Sequence, residues 1–164
     1  MTQQIETIQT TTPNPELLLP FDALTRSMEE AEFRFNRTEN YLKATFPSGQ
    51  CYLDFTGKIN ERSLQLTVRY SILVPEDRRF ELLNFMNAVN WRMALSNLEM
   101  DPKDGEIICR LSAPLDGGRI TFEQADVAVH TVLRSASRHA EAILQMSFQN
   151  VSADRALVAL DDKD

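Results

Sequence analysis

Length, composition and charge set the first limits on this chain. Its 164 residues are 43% hydrophobic and 25% charged, as expected of one globular domain. The formal net charge of −7 disfavours nucleic acid as the main partner, because phosphate binding requires clustered Lys and Arg. No apolar run approaches the roughly 20 residues that cross a bilayer, and residues 1–12 lack the basic and apolar segments of a secretory signal. We therefore expect a cytoplasmic protein that binds neither nucleic acid nor membrane.

The N-terminal region predicts a tail followed by one helix. Residues 1–13 are rich in Thr and Gln, which predicts a disordered tail. A helix is expected over about 15–31, with Asn14 as its cap. Pro20 conflicts with a helix interior, so the alternative is a regular helix that begins only at Pro20. The apolar stripe of this helix consists of Phe21, Leu24, Met28 and Ala31.

Residues 33–72 show the alternation of apolar and polar residues that is typical of strands. The turns between the runs are short, as at 47–49 and 56–58, so neighbouring strands must be antiparallel. The last run, 64–72, keeps a strict period of two, which predicts one buried face and one wet face. The residues expected to point inward are Phe33, Phe35, Leu42, Ala44, Phe46, Cys51, Leu53, Phe55, Leu64, Leu66, Val68, Tyr70 and Ile72.

The second half of the chain predicts two more helices with a hairpin between them. Pro75 and the acids after it open a helix, because a helix N-terminus favours both proline and negative charge. Strands at about 95–100 and 106–113 are joined by turn residues at 101–105. Thr121 begins a capping box, which starts a helix that runs to about 147. The inward stripes are Leu82, Met86, Val89 and Met93 in the first of these helices, and Ala125, Val129, Val132, Ala136, Ala140 and Ile143 in the second.

These elements predict an α+β fold, because separated strands and helices with short connections favour helices packed on an antiparallel sheet. The expected order is α-βββ-α-ββ-α, with five strands in one antiparallel sheet and three helices. We expect a single domain over 14–147. Residues 148–164 are acidic and predict a flexible C-terminal tail, in which Ser152 caps at most one short turn of helix.

No residue pattern predicts catalysis, a metal site or a cofactor. His130 and His139 are nine positions apart on the last predicted helix, which places them on opposite sides and prevents a shared metal ion. Cys51 and Cys109 belong to no metal-ligand or disulfide spacing, and we interpret them as small buried hydrophobes. The sequence also lacks the nucleophile-elbow and phosphate-binding glycine motifs. It therefore predicts a protein that is not an enzyme.

The second predicted helix carries an unusual polar row, formed by Asn84, Asn87 and Asn90 and followed by Trp91. Asn is a poor residue in a helix interior because its amide competes for backbone groups, so three of them indicate specific hydrogen bonding. One interpretation, which we favour, is structural: the amides tie the helix to the sheet edge or to the loop before the last helix. The other is functional: the four residues bind a partner, with Trp91 as an aromatic anchor.

The same helix carries a resemblance to a known family. Residues 75–79, PEDRR, and 82–90, LLNFMNAVN, resemble the YbjN family of bacterial sensory transduction regulators. The resemblance continues through 101–107 and 115–121 and covers most of 20–147. It implies a fold similar to type III secretion chaperones, which place three helices on a five-stranded antiparallel sheet. Proteins of that class are typically cytoplasmic homodimers that bind other proteins.

Two functions remain open from the sequence. The first is a non-enzymatic, cytoplasmic protein-binding module, chaperone-like or regulatory, that forms a homodimer and binds a protein partner. Its binding surface is expected on the first two helices or at an open edge of the sheet, where the asparagines and Trp91 would set the alignment of the bound partner. The alternative is a small-molecule-sensing regulatory domain with a pocket between sheet and helices. Chaperone activity rests on analogy of fold alone.

Overall fold

The structure, a computed structural model, describes residues 15–162, and the tail predicted at 1–13 lies outside this part of the chain. In chain order, the elements are β1 (Leu17–Leu18), α1 (Pro20–Glu30), β2 (Asn36–Arg37), β3 (Leu42–Ser48), β4 (Cys51–Asn60), β5 (Ser63–Leu73), α2 (Glu76–Arg92), β6 (Asn97–Met100), β7 (Glu106–Pro114), β8 (Ile120–Thr121), α3 (Phe122–Phe148) and α4 (Ala153–Asp161).

The strands form one large sheet and one small one. The large sheet has six strands in the order β2-β3-β4-β5-β7-β6, and every neighbouring pair is antiparallel. β1 and β8 make a separate antiparallel pair. The α+β architecture and the antiparallel pairing are therefore confirmed. The predicted number of five strands is wrong, because β2 adds a sixth strand beside the start of β3. A strand of two residues leaves no period of two to detect in the sequence.

The core lies between the helices and the inner face of the large sheet. The β5 residues that were predicted to point inward, from Leu64 to Tyr70, are buried, and so are all six inward residues predicted for α3. The Tyr70 hydroxyl donates a hydrogen bond of 2.9 Å to the carbonyl oxygen of Ala136. This bond joins the sheet to α3 at the centre of the core. Burial raises the pKa of Tyr70 well above its ordinary value.

Local sequence signals account for the ends of several elements. α1 begins at Pro20, where the first helical turn needs no backbone N–H donor, so the alternative of a late start is confirmed. Thr121 and Gln124 form the predicted capping box, in which each side chain accepts from the other residue's backbone N–H. In the turn between β6 and β7, Gly105 has a φ of +82°. A Cβ there would collide with the carbonyl oxygen of Val74, so only glycine fits.

The C-terminal segment differs from the prediction, because it contains a fourth helix. α4 packs on α2 and α3 and buries Ala156 and Leu160. Arg78 on α2 holds the chain before α4 by donating to the carbonyl oxygens of Met146, at 2.9 Å, and Val151, at 3.3 Å. A helix of nine residues is marginal alone and depends on such packing, which local sequence does not reveal. The prediction of three helices is therefore wrong, and the segment expected as a flexible tail carries a packed helix.

Candidate functional site

The candidate residues lie on α2, which packs one face into the core. Leu82, Met86 and Val89 are buried as predicted, Phe85 joins them, and Met93 is half-buried against the same core. α4 packs along one flank of α2, and β6 packs along the other. The helix is thus held on three sides, and its fourth side faces solvent.

Asn90 has a structural role at the flank toward β6. Its side-chain amide donates to the carbonyl oxygen of Leu98 at 2.9 Å, and its side-chain oxygen accepts from the Leu98 N–H at 2.8 Å. Leu98 belongs to the last strand of the large sheet, so the carboxamide of Asn90 takes the place of a neighbouring strand. An open edge strand pairs readily with other chains. For this one asparagine, the structural interpretation, a tie between the helix and the sheet edge, describes what the side chain does.

Asn84, Asn87 and Trp91 point away from the core, and Phe80 joins them. Spacings of four, three and four residues place these side chains within a sector of about 60° on the helix surface. Trp91 is 91% exposed and Phe80 is 77% exposed, and both asparagines are exposed as well. We call these four residues the outer α2 stripe. Leu83, which is also exposed, lies at its margin.

Sequence reasoning missed Phe80 as a site residue, although the helical spacing that reveals it was present. α2 has apolar residues on both of its faces, and the inner stripe alone was sufficient to explain a helix packed on a sheet. The signal that identifies Phe80 is its place in the row of asparagines and Trp91, one helical turn before Asn84.

The outer α2 stripe has the same pattern in both chain directions. Phe80 lies four residues before Asn84, and Trp91 lies four residues after Asn87, so an aromatic residue flanks the asparagines at each end. A carboxamide has both donors and acceptors, which allows it to pair with a second carboxamide. Aromatic residues are enriched in interfaces. The stripe therefore presents two exposed aromatic rings and two exposed carboxamides on one side of α2.

Surface grooves provide a place for the alternative prediction, a small-molecule pocket between sheet and helices. One groove of about 360 Å³ lies between the β3–β4 turn and α3, where the hydroxyls of Ser48 and Ser137 are 3.2 Å apart. Another of about 280 Å³ lies between α2, α3 and α4, beside His139. Ligand pockets typically measure roughly 300–1,000 Å³, so the first groove lies at the lower end of this range and the second, which no sheet residue lines, lies below it. Binding of a small molecule stays a prediction.

The two histidines of α3 lie on different sides of the helix, as predicted. His139 is buried, its Nδ1 is 2.7 Å from the Ser135 carbonyl oxygen, and burial lowers its pKa. His130 lies at the surface, with its Nε2 3.4 Å from an Asp126 carboxylate oxygen. The two imidazoles therefore cannot bind one metal ion together.

The two cysteines are free thiols buried in the core. Burial raises the pKa of the Cys109 thiol to about 12, which favours the protonated thiol at neutral pH. Burial also raises the pKa of Cys51. Over residues 15–162, the His, Cys, Asp and Glu side chains form no group of three or more that could hold a metal ion.

Residues 20–145 match the YbjN family, whose description is "Putative bacterial sensory transduction regulator". The chain belongs to the YbjN family. The YbjN description is that of a regulator and not of an enzyme. The YbjN match ends at 145, so α4 lies outside it.

Solved structures with a similar fold include a protein of the same family. It is described as "Crystal structure of YbjN, a putative transcription regulator from E. coli" and is 15% identical, with a TM-score of 0.53. The similarity covers 76% of this chain and 97% of the E. coli chain. No curated protein matches significantly. Between residues 15 and 162, the helices are too short or too polar to span a membrane.

Proposed function

We propose that this protein is a non-enzymatic, cytoplasmic regulator that acts by binding other proteins, and that two copies associate through the outer α2 stripe. The observation that carries the proposal is the exposure of Trp91 and Phe80 on a helix whose opposite face fills the core. The family description supports a regulatory role. The free, buried cysteines are in keeping with a reducing compartment.

A second copy suits the stripe because the stripe is its own complement. Across a two-fold axis that passes between residues 85 and 86, perpendicular to α2, Phe80 of one copy meets Trp91 of the other. Asn84 meets Asn87 in the same way, and the paired carboxamides satisfy each other's donors and acceptors. Closed dimers require such a self-complementary contact. If one helix slips by one turn along the other, amides face aromatic rings. The asparagines therefore also fix the register of the two α2 helices.

The area of the stripe indicates how tightly two copies bind. Phe and Trp each bury about 150–250 Å², so four such side chains in a dimer bury roughly 600–1,000 Å². A specific interface needs about 1,200 Å² or more, and the exposed Leu83 at the margin of the stripe adds to the total. We therefore expect a reversible dimer whose population depends on protein concentration.

Sedimentation velocity across a concentration series tests this proposal. We expect the wild-type chain to shift from monomer to dimer as its concentration rises, because burial of the aromatic side chains favours association. The Phe80→Ala/Trp91→Ala variant should stay monomeric. A wild-type chain that remains monomeric throughout, or a double variant that dimerises as strongly as wild type, contradicts the proposal.

Tyr52→Ala is the matched control for the loss of an exposed aromatic residue. Tyr52 lies on β4 and is 59% exposed, on the sheet face that the helices do not cover. Its replacement removes one exposed aromatic side chain at a site away from α2. Dimerisation of this variant should equal that of wild type.

A further inference from the structure

One edge of the large sheet is covered over only part of its length. β6 pairs with β7 only over residues 107–110 of β7, and β7 then continues to Pro114 with β5 as its single neighbour. The chain before β6 turns toward α3, where the Ser96 hydroxyl donates a hydrogen bond of 2.9 Å to the Ser135 hydroxyl. Residues 111–114 of β7 therefore have a strand on one side only.

The alternation of backbone hydrogen bonds identifies the groups left open. Leu115 N–H donates to the Arg62 carbonyl oxygen at 3.0 Å, so odd-numbered β7 residues bond toward β5 and even-numbered residues bond toward β6. The Asp101 N–H donates at 2.9 Å to the carbonyl oxygen of Glu106, on the β6 side. Glu106 is an even-numbered residue, so this bond agrees with the alternation. Ser112 consequently directs its N–H and C=O to the uncovered side. No described residue outside the strands bonds to either group.

An apolar cavity lies beside these open groups. Its volume is about 200 Å³, and its walls come from β7, from α3 and from the turn before β6. Leu95 and Val127 border it and are 62% and 55% exposed. Leu111 and Ala113 form the side of the cavity that belongs to the sheet, and no lining residue is charged.

We propose that an extended, uncharged segment of a protein partner binds here as an added strand. Its backbone pairs with the N–H and C=O of Ser112, as in other cases of β-augmentation. The next residue along the segment lies opposite Ala113 and points into the cavity, because cross-strand neighbours share a face of the sheet. An aliphatic side chain fits this position. A charged one loses its hydration and finds no partner in the apolar walls.

The neighbouring part of the sheet edge does not offer the same site. At β6, Asn90 already occupies the N–H and C=O of Leu98, so a second strand cannot pair with these groups. The open groups of Ser112 and the apolar cavity occur together only beyond the end of β6. The site uses no residue of the outer α2 stripe, goes beyond self-association and does not depend on it.

Hydrogen exchange at single amides tests the open edge in the free, full-length protein. We expect the Ser112 N–H to exchange at least about tenfold faster than those of Leu111 and Ala113, which bond to β5. A Ser112 amide that is protected as well as its two neighbours shows that the edge is already closed, and this result overturns the proposal.

A blocked pentapeptide, acetyl-Thr-Leu-Thr-Leu-Thr-amide, is the probe for the added strand. Saturating peptide should slow exchange at Ser112 and shift the resonances of Leu95 and Val127. The matched control peptide carries an N-methyl group on its central threonine, which removes the N–H that donates to Ser112. Its affinity should be at least about tenfold lower. Absence of binding, binding without protection of Ser112, or equal affinity of the two peptides overturns the proposal.

Two valines of similar exposure allow the effect of a charge at the cavity to be compared with the effect of a charge elsewhere on the surface. Val127→Asp places a charge beside the cavity and should weaken pentapeptide binding at least about tenfold. Val158→Asp, on α4 at a residue 61% exposed, should leave binding unchanged. Leu95→Asp is a second test of the cavity if Val127→Asp fails to fold. Equal effects of Val127→Asp and Val158→Asp on pentapeptide affinity overturn the proposal. Both variants should dimerise like wild type.

Discussion

The two faces of α2 carry similar side chains in different surroundings. The inner face places Leu82, Phe85 and Met86 in the core, where none is more than 2% exposed. The outer face holds Phe80 and Trp91, which are 77% and 91% exposed. A helix at the surface of a soluble domain normally has polar residues opposite its apolar stripe. The inner face therefore builds the fold, and the outer face is the surface that the proposed dimer would cover.

Phe85→Ala, on the inner face, should have the largest effect on folding. Phe85 is fully buried, so its truncation leaves a cavity and should lower the free energy of unfolding by about 3–5 kcal/mol. Urea denaturation at a concentration where the chain is monomeric measures the loss. A decrease of about 0.5 kcal/mol or less would mean that the inner face does not carry the core packing.

Asn90→Ala should have the next largest effect, because it leaves the N–H and C=O of Leu98 without their partner. We expect the free energy of unfolding to fall by about 1–3 kcal/mol. Asn87→Ala is the matched control, since Asn87 is exposed on the outer face and its loss should change the monomer by about 0.5 kcal/mol or less. Equal losses in the two variants would contradict the role assigned to Asn90.

The flank of α2 toward α4 lies between the two faces. Its ion pair should contribute less to the free energy of unfolding than either Phe85 or Asn90. Arg92 and Asp161 form an ion pair whose side chains are 56% and 55% exposed, and such pairs contribute about 0–1 kcal/mol. Arg92→Ala should lower the free energy of unfolding by this small amount, and added salt should reduce the difference from wild type. A loss as large as that of Asn90→Ala would show that the ion pair, more than apolar burial, holds α4.

Trp91→Ala, on the outer face, should have the smallest effect on the monomer, about 0.5 kcal/mol or less. At high protein concentration, however, wild type should become more stable than the variant, because dimerisation favours the folded state by mass action. Thermal unfolding at a low and a high protein concentration measures this difference. A wild-type midpoint that does not change with concentration speaks against association of the folded chains.

The fold was predictable where the signal was long and regular. β5, with eleven residues, and α3, with 27, each repeat their period several times, and their inward residues were predicted correctly except Ile72, which is only half-buried where the register of β5 shifts. β2 is too short to show a period. α4 depends on packing against α3 and on Arg78 and the apolar surface of α2, which are distant in sequence, so its own residues gave only a weak signal.

The asparagine row shows why the site was only partly predictable. Each step of three residues turns the side chain by about 60° around the helix axis, so Asn90 lies about 120° from Asn84. The sequence predicts three polar groups on one helix, but their surroundings depend on where β6 packs. Only the structure shows that Asn90 meets β6 and that Asn84 and Asn87 lie between two exposed aromatic residues.

Charge replacement in the outer α2 stripe tests the symmetric dimer most directly, with the dissociation constant measured by sedimentation equilibrium. In the antiparallel arrangement, Asn84→Asp/Asn87→Lys sets each new carboxylate against a lysine of the other copy, whereas Asn84→Asp/Asn87→Asp sets carboxylates together. We expect the first variant to dimerise at least as tightly as wild type and the second at least about tenfold more weakly. Equal dimerisation of the two variants, or weaker dimerisation of the Asp/Lys variant, would contradict the antiparallel contact through α2.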